Sequence, residues 1–229
     1  SITIRNSGHG EGGGLYAGAS SLFIAHSSFS NNTAALTGGG LCLGSNAMAT
    51  LTNCIIHANH LTDNSTPARG AGMAAIQASV DMAGLTFSEN IAQLNHTIMD
   101  AFIALPAGNS QTEKGYSHDG LGGGLYAASS AISIRDSLFL QNQAAHGGAI
   151  WGQASTVTAA RSIFSTNQAV SEMCNVTTKE NWYGCSSTTL LSQATGGRGG
   201  ALCHAGATLS LENCKWSGNI AGETGAAFF

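Results

Sequence analysis

A glycine run followed by a hydrophobic residue recurs seven times in this chain, and that recurrence limits the possible folds more than any other feature. A bulky residue follows 17 or 18 positions after the start of six runs, and an asparagine follows three positions later each time. A unit this short cannot enclose a core alone, so it must stack on copies of itself. The runs begin at Gly12, Gly38, Gly70, Gly122, Gly147, Gly199 and Gly225.

Each unit carries two strand patterns. Positions seven and five before the bulky residue are apolar in all six units, as at Ile132 and Ile134 before Phe139, and this period of two indicates a strand with one buried face. The third residue after the first glycine is always hydrophobic, which predicts a second strand. The pattern therefore predicts an all-β parallel solenoid of about seven coils.

Stacked coils place equivalent residues about 4.8 Å apart, so the repeat predicts ladders. Asparagine suits a corner because it tolerates left-handed backbone and hydrogen-bonds along a ladder. The predicted ladders are Phe29, Ile56, Phe87, Phe139, Phe164 and Trp216 for the bulky residues, and Asn32, Asn59, Asn90, Asn142, Asn167 and Asn219 for the asparagines.

Apart from one extra residue before Ile56, the variation in repeat length falls between the asparagine and the next glycine run. Run starts are separated by 26, 32, 52, 25, 52 and 26 residues, which predicts loop insertions at 60–69, 91–121 and 168–198, all at one corner. Loops on a rigid scaffold often carry recognition. Both ends of the sequence fall within strand patterns, so residues 1–229 are expected to be a single β-helix segment of a longer protein.

The motifs HGGAIW (146–151) and SIFSTN (162–167) resemble the repeats of chlamydial polymorphic outer membrane proteins, and the resemblance covers nearly the whole chain. It implies a right-handed parallel β-helix of the pectin lyase-like kind, displayed outside the cell and used in adhesion or surface structure. Long insertions and glycosylation sequons depart from that family. In these features the chain more closely resembles similar repeats in extracellular proteins of algae and other protists.

Four N-x-Ser/Thr sequons and six cysteines together indicate an oxidising, glycosylating compartment reached by secretion. We therefore expect an extracellular or cell-surface location and covalent N-glycans. The sequons begin at Asn31, Asn64, Asn95 and Asn175.

The cysteines repeat positions within the unit. Cys42 and Cys203 both lie four residues after a first glycine, and Cys54 and Cys214 both lie two before a bulky residue. We predict disulfides joining Cys42 with Cys54 and Cys203 with Cys214 across single coils. A third disulfide would join Cys174 with Cys185 and close the long loop. Metal binding is the alternative, but neither CxxC nor histidines at zinc spacing accompany these cysteines.

A catalytic site of β-helix enzymes is not favoured. The Gly8-His9-Gly10 element resembles the GHG of polygalacturonases, yet that chemistry needs converging carboxylates. With Ile2 and Ile4 taken as inward strand positions, His9 is expected on the ladder of bulky residues. Its role is therefore predicted to be structural.

The acidic residues on the predicted strands do not stack. Asp81, Asp136 and Glu212 occupy different positions in their coils, so a calcium cluster is not expected. Asp136 does share its position with Arg161 one coil later, which predicts a surface ion pair.

Composition excludes several partners. The formal net charge is −4 without a run of Lys and Arg, which disfavours nucleic acid, and no stretch of about 18 apolar residues predicts a spanning helix. No cofactor or metal is expected. An outward column of Tyr16, Tyr126, Trp151 and Phe229 suits packing against an insertion or a neighbouring subunit.

The sequence thus favours a non-catalytic extracellular glycoprotein segment, part of a cell-surface or appendage fibre or an adhesin. Its expected partners are other subunits, the remaining coils of the same protein and cell-surface carbohydrate. The alternative is a polysaccharide-active enzyme or carbohydrate-binding module of pectin lyase-like fold. That alternative requires loop carboxylates such as Asp100, Glu113 and Asp119 to converge.

Overall fold

The computed structural model describes residues 3–5, 8–62, 68–92, 99–104, 110–115, 120–169, 176–179, 198–222 and 225. Regular structure in these ranges consists of β-strands. No helix in the described part of the chain has the length and apolar character needed to cross a membrane.

The strands are short and follow the repeat. In the first half of the chain they are β1 (Thr3–Arg5), β2 (Gly8–Glu11), β3 (Leu15–Ala17), β4 (Ser21–Ala25), β5 (Ser28–Ser30), β6 (Thr33–Thr37), β7 (Leu41–Leu43), β8 (Met48–Thr52), β9 (Ile55–His57), β10 (His60–Leu61), β11 (Met73–Ile76), β12 (Ser79–Ala83), β13 (Thr86–Ser88) and β14 (Ile91–Ala92). The remainder are β15 (Met99–Ala104), β16 (Ser110–Gly115), β17 (Leu125–Ala128), β18 (Ala131–Arg135), β19 (Leu138–Leu140), β20 (Gln143–Ala144), β21 (Ile150–Ala160), β22 (Ile163–Ser165), β23 (Gln168–Ala169), β24 (Val176–Lys179), β25 (Leu202–Glu212), β26 (Lys215–Ser217) and β27 (Ile220–Ala221).

Three parallel sheets run along the molecule. Sheet A has the order β1-β5-β9-β13-β19-β22-β26, and sheet B has the order β2-β6-β10-β14-β20-β23-β27. Sheet C has ten strands in two rows, β3-β7-β11-β17 and β4-β8-β12-β18, which the 11-residue strands β21 and β25 join. Since the first six coils each pass through A, B and C in turn, and the seventh is described in A and B, the architecture is the parallel β-helix that the repeat predicts. Coils are numbered here by their sheet A strand, from β1 to β26.

The interior of the helix is a stack of identical positions. Phe87, Phe139, Phe164 and Trp216 lie face to face, with successive ring centroids 4.7, 4.9 and 4.2 Å apart. Phe29 and Ile56 occupy the same column in earlier coils, and both are buried. This column packs against the inward Leu, Ile and Met side chains of sheet C, and together they form the main core.

The six asparagines form a second column between sheets A and B, and all of them except the last, Asn219, are buried. In each of the first five, the backbone N–H and the side-chain Nδ2 donate to Oδ1 of the next asparagine at 2.9–3.2 Å. From Asn59 onward, the second hydrogen of each Nδ2 is donated to the backbone carbonyl of the bulky residue in the previous coil. Asn142, for example, donates to the carbonyl of Phe87 at 3.1 Å. The buried amides therefore have their donors and acceptors satisfied.

Left-handed backbone occurs one residue earlier than the sequence predicted. None of the six asparagines has a positive φ, whereas the residue before each one does, with values from 49° to 59°. The asparagine is thus explained by its hydrogen bonds and not by its tolerance of the left-handed region. The six residues that precede the column are Asn31, Ala58, Glu89, Gln141, Thr166 and Gly218.

The first two residues of each predicted insertion belong to sheet B, so the insertions are shorter than the sequence predicts. His60–Leu61, Ile91–Ala92 and Gln168–Ala169 pair with neighbouring coils, so the segments predicted at 60–69, 91–121 and 168–198 begin two residues later. Strands β10, β14, β20 and β23 have only two residues each and lack a readable alternation in the sequence. The two long insertions contribute to one antiparallel sheet of their own, in which β16 pairs with both β15 and β24.

Candidate functional surface at the insertion corner

Two adjacent columns form the corner where the inserted segments rejoin the solenoid, here called the insertion corner. The first column is the residue before each glycine run, and the second is the outward residue one after the buried hydrophobe of sheet C. The first column contains Glu11, Thr37, Arg69, Leu121, His146 and Arg198. The second contains Tyr16, Cys42, Ala74, Tyr126, Trp151 and Cys203.

Glycine builds this corner because side chains would block it. Gly38 has a φ of +62°, and a Cβ there would lie 2.2 Å from the Leu41 carbonyl oxygen. Its N–H donates to the carbonyl of Arg69 in the next coil at 3.0 Å, and Gly70 donates likewise to Leu121 at 2.9 Å. Parallel bridges link Thr37, Arg69, Leu121 and His146. Arg69 and Leu121, at which two insertions return, are therefore held by the scaffold.

Four side chains of coils three to five make contact at this corner, and we call Arg69, Tyr126, His146 and Trp151 the aromatic–arginine cluster. The Cζ atom of Arg69 lies 5.7 Å from the ring centroid of Tyr126. Tyr126 pairs in register with Trp151, whose ring centroid is 5.6 Å from that of His146. A guanidinium above an aromatic face is a favourable cation–π arrangement.

Tyr126 is the buried member of the cluster. Tyr126 is 4% exposed, and it packs with Cys42 and Ala74 in an apolar cluster that lies apart from the main core. Burial raises the pKa of the Tyr126 hydroxyl, while the positive charge of Arg69 acts in the opposite direction. Arg69, His146 and Trp151 remain partly exposed, so they form the accessible part of this cluster.

Two hydrogen-bond donors in the cluster have no acceptor. Within the described part of the chain, Nε of Arg69 and Nε1 of Trp151 are buried and without a partner. Buried donors are nearly always paired in folded proteins, and leaving one unpaired is unfavourable by about 1–3 kcal/mol. The spacing of the repeat predicts the aromatic column but not the position of Arg69, because the glycine run separates Arg69 from that column along the chain.

The predicted disulfides of the described cysteines are wrong. Cys42, Cys54, Cys203 and Cys214 are free thiols. Cys42 lies in the outer cluster with Tyr126, whereas Cys54 belongs to the main core, so the sheet separates their side chains. Burial, with a smaller contribution from the Glu11 carboxylate, raises the pKa of the Cys42 thiol to about 12. Burial raises that of Cys203 to about 11 despite the opposing charge of Arg198. Cys174 and Cys185 lie outside the described residues.

A serine column explains two of these cysteines. At the position of Cys54 and Cys214, other coils carry Ser27, Ser137 and Ser162, whose hydroxyls donate to the carbonyl two residues earlier at 2.7–2.9 Å. The Cys54 thiol makes the same contact with Thr52 at 3.3 Å, and that of Cys214 with Glu212 at 3.5 Å. Cysteine replaces serine here as a corner donor, a pattern that the repeated serines signal in the sequence.

The Gly8-His9-Gly10 element lies in sheet B and not, as predicted, on the ladder of bulky residues. Ile4 pairs with Phe29, so Ile4 and not His9 occupies the ladder of bulky residues, and His9 pairs with Ala34 in sheet B. The reason is that Thr3–Arg5 completes a sheet A strand, whereas the prediction assigned these residues to the row that precedes sheet A.

The remaining predicted residues are distributed over several surfaces. Arg161 contacts Asp136 at 2.7 Å, which confirms that ion pair, and Arg135 contacts Asp81 at 2.8 Å. In the described ranges no three His, Cys, Asp or Glu residues are grouped closely enough to hold a metal ion. In the insertion sheet Asp100 pairs with Lys114, and Glu113 pairs with Ala101 and Val176.

The sequons and the outward column are only partly within the described structure. Asn31 is exposed, whereas Asn64, Asn95 and Asn175 lie outside the described residues, as do Asp119 and Phe229. Tyr16 is 55% exposed at the first coil of the outward column.

One family model matches the chain. The model of the Chlamydia polymorphic membrane protein repeat matches residues 26–44. That stretch contains Phe29, Asn32 and the glycine run at Gly38, and it passes once through sheets A and B into sheet C. No curated protein and no solved structure matches the chain.

Proposed function

Starting from the match to a polymorphic membrane protein repeat, we propose that this chain is a non-catalytic segment of an extracellular adhesin or cell-surface fibre. The match suggests a surface or adhesin-like protein. The observation that carries the proposal is the insertion corner, where a rigid ladder scaffold holds partly exposed arginine and aromatic side chains beside the ends of the insertions. Such loops on a rigid solenoid are suited to recognition.

Glycosylation and a eukaryotic origin are finer parts of the proposal. Asn31 is exposed at a corner of positive φ, which makes its side chain accessible to a modifying enzyme. The sequons and the long insertions also support a relationship with algal or protist extracellular repeats. Expression through a eukaryotic secretory pathway should give a product whose mass falls on glycosidase treatment. An unchanged mass would contradict glycosylation.

Adhesion can be tested directly. Beads coated with the chain should bind to cells or isolated cell walls more strongly than beads coated with a variant in which residues 93–119 and 171–197 are replaced by short Gly-Ser linkers. Circular dichroism of both proteins would establish that the scaffold is retained. Equal attachment by both proteins, or no attachment by either, would contradict a role of the insertions in adhesion.

The fibre role predicts self-association. Light scattering over a range of concentrations should detect oligomers of the purified chain, and a monomer at all concentrations would favour the adhesin alone. Incubation with acidic polysaccharides should release neither reducing sugar nor unsaturated product. Release of either would favour the enzyme alternative, although the described register does not pair Asp100 with Glu113.

A further inference from the structure

We propose that the aromatic–arginine cluster binds a carboxylate-bearing glycan, a sugar chain of uronate type that lies along the insertion corner. The proposal rests on the adhesive function above, because it names the class of surface component that the corner would hold. Arg69 supplies the partner of the carboxylate, and Trp151 supplies a donor to a ring or hydroxyl oxygen.

The unpaired donors are the first observation that supports this ligand. Nε of Arg69 and Nε1 of Trp151 have no acceptor in the described structure, although both side chains are partly exposed as a whole. A guanidinium binds carboxylates through two parallel hydrogen bonds, and an indole N–H donates one. Small movements of these side-chain ends toward a ligand oxygen would replace an unsatisfied state with a satisfied one.

The charge distribution is the second observation. The first column of the corner carries the cationic residues Arg69 and Arg198 in coils three and six, while its described acidic residue, Glu11, lies in coil one. Arg69 forms no ion pair among the described residues, whereas Arg135 and Arg161 are paired with Asp81 and Asp136. The corner therefore complements an anionic partner in a way that the ion-paired arginines do not.

The shape of the cluster favours a long ligand. Arg69, Tyr126 and Trp151 come from three successive coils, and coils are spaced by about 4.8 Å along the axis. The two unpaired donors, Nε of Arg69 and Nε1 of Trp151, therefore come from the two coils that flank the coil of Tyr126. Tyr126 pairs in register with Trp151, and its ring lies beneath the Arg69 guanidinium. A chain of linked rings that runs parallel to the axis can meet both donors at once.

A glycan fits this surface better than an extended peptide. Peptides that bind sheets add to a free strand edge, but the strand of Tyr126, β17, pairs with β11 on one side and β21 on the other. Its backbone groups are already used by the scaffold. Recognition is left to side chains, and aromatic faces with a few oriented donors suit the apolar faces and oxygens of sugar rings.

The test compares oligomannuronate with β-1,4-manno-oligosaccharide, since these two chains differ by the carboxylate at C6. Titration calorimetry on the purified chain should detect binding of oligomannuronate and at least about tenfold weaker binding of the neutral oligosaccharide. Arg69→Gln should weaken oligomannuronate binding by about tenfold or more, and Trp151→Phe by a smaller factor of about three to ten. Arg135→Gln, which removes the same charge from an arginine held by Asp81, is the matched control and should bind like the parent chain.

The competing outcomes are distinct. Equal binding of both oligosaccharides, an equal loss in Arg69→Gln and Arg135→Gln, or equally tight binding of poly-glutamate would overturn the proposal. If Arg69→Gln does not fold by circular dichroism, Arg69→Lys keeps the charge without the planar donor pair and should still bind less tightly than the parent chain. Cell attachment measured in parallel separates the two hypotheses, because attachment without oligomannuronate binding overturns the glycan assignment and leaves adhesion supported.

Discussion

The inward column of sheet A and the outward column of sheet C differ in how uniform their residues are. Along the inside of coils two to seven, one position reads Phe29, Ile56, Phe87, Phe139, Phe164 and Trp216, and the corner beside it is asparagine in all six. One residue out from the buried hydrophobe of sheet C, the insertion corner reads Tyr16, Cys42, Ala74, Tyr126, Trp151 and Cys203. An interior residue packs against its own copies, so uniformity is selected, whereas an outward residue meets whatever covers that coil.

Replacing the same residue type inside and outside should separate the two environments most sharply. Phe139 is fully buried between Phe87 and Phe164, so Phe139→Ala should lower the free energy of unfolding by about 3–5 kcal/mol. Phe23 is 75% exposed on sheet C, and Phe23→Ala should change it by less than about 0.5 kcal/mol. Urea unfolding of both variants measures the difference, and similar losses would contradict the assignment of inside and outside.

A substitution in the asparagine column should have the next largest effect on stability. Asn142→Ala would leave the backbone N–H and Nδ2 of Asn90 without their acceptor and the Phe87 carbonyl without its donor. Because these buried groups would lose their hydrogen-bond partners, we expect the free energy of unfolding to fall by about 3 kcal/mol or more. Asn46 is exposed with a φ of 63°, so Asn46→Gly keeps the local backbone and should be nearly neutral. A neutral Asn142→Ala in the same urea assay would show that the ladder does not stabilise the fold.

The cysteines sharpen the comparison through their reactivity. Because burial raises the pKa of Cys42 from 9.0 to about 12, its thiolate fraction near pH 8 is roughly a thousandfold below that of an ordinary thiol. Alkylation of the native chain at Cys42 should be slow and rise about tenfold per pH unit between pH 8 and 10, where a free thiol levels off. Mass spectrometry of peptides measures the rates.

The same cysteine experiment tests the pairing. In denaturant without reductant, Cys42 and Cys54 should both be alkylated promptly, as expected of free thiols. Recovery of a peptide in which Cys42 is linked to Cys54 would contradict their placement on opposite sides of the sheet.

The smallest effect is expected at the exposed ion pairs. Hydrogen bonding and charge from Arg161 lower the pKa of Asp136 below 3.8. A lowered folded-state pKa means that the stabilising contribution is present at neutral pH and is lost as the pH falls through the folded-state value. Asp136→Asn should therefore slightly lower the free energy of unfolding at pH 7. This difference from the parent chain should disappear in acid and become smaller at high salt. A large loss in urea unfolding at pH 7 would contradict the exposed setting.

The sequence was most informative about the inward columns, where each position meets its own copy. The ladders of Phe139 and Asn142 follow from spacing alone, because a stack of coils repeats every contact. It was less informative where the partner is distant along the chain. The two-residue strand His60–Leu61 pairs with residues about 30 positions away on each side, and no local alternation signals it.

The insertion corner was only half predictable. The aromatic residues Tyr126 and Trp151 share an offset and could be placed together, but Arg69 joins them from the far side of the glycine run. The cysteine positions gave a wrong prediction. Cys42 and Cys54 each occupy a position that a second cysteine repeats in a later coil, and this repetition suggested a disulfide between them. Alternation was the stronger signal there, because Leu41 and Leu43 are both buried in the main core and the residue between them must face the other way.

The asparagine column also gives the solenoid a direction. From Asn32 to Asn167, the backbone N–H and one Nδ2 hydrogen of each asparagine donate to Oδ1 of the asparagine in the later coil, so the Oδ1 atoms of the column all face the earlier coil and the amides form a row of aligned dipoles that polarise one another. The two ends of such a row differ chemically, since one offers acceptors and the other offers donors. Any coil or second molecule that continues the row must join it head to tail, and a two-fold arrangement would bring like ends together.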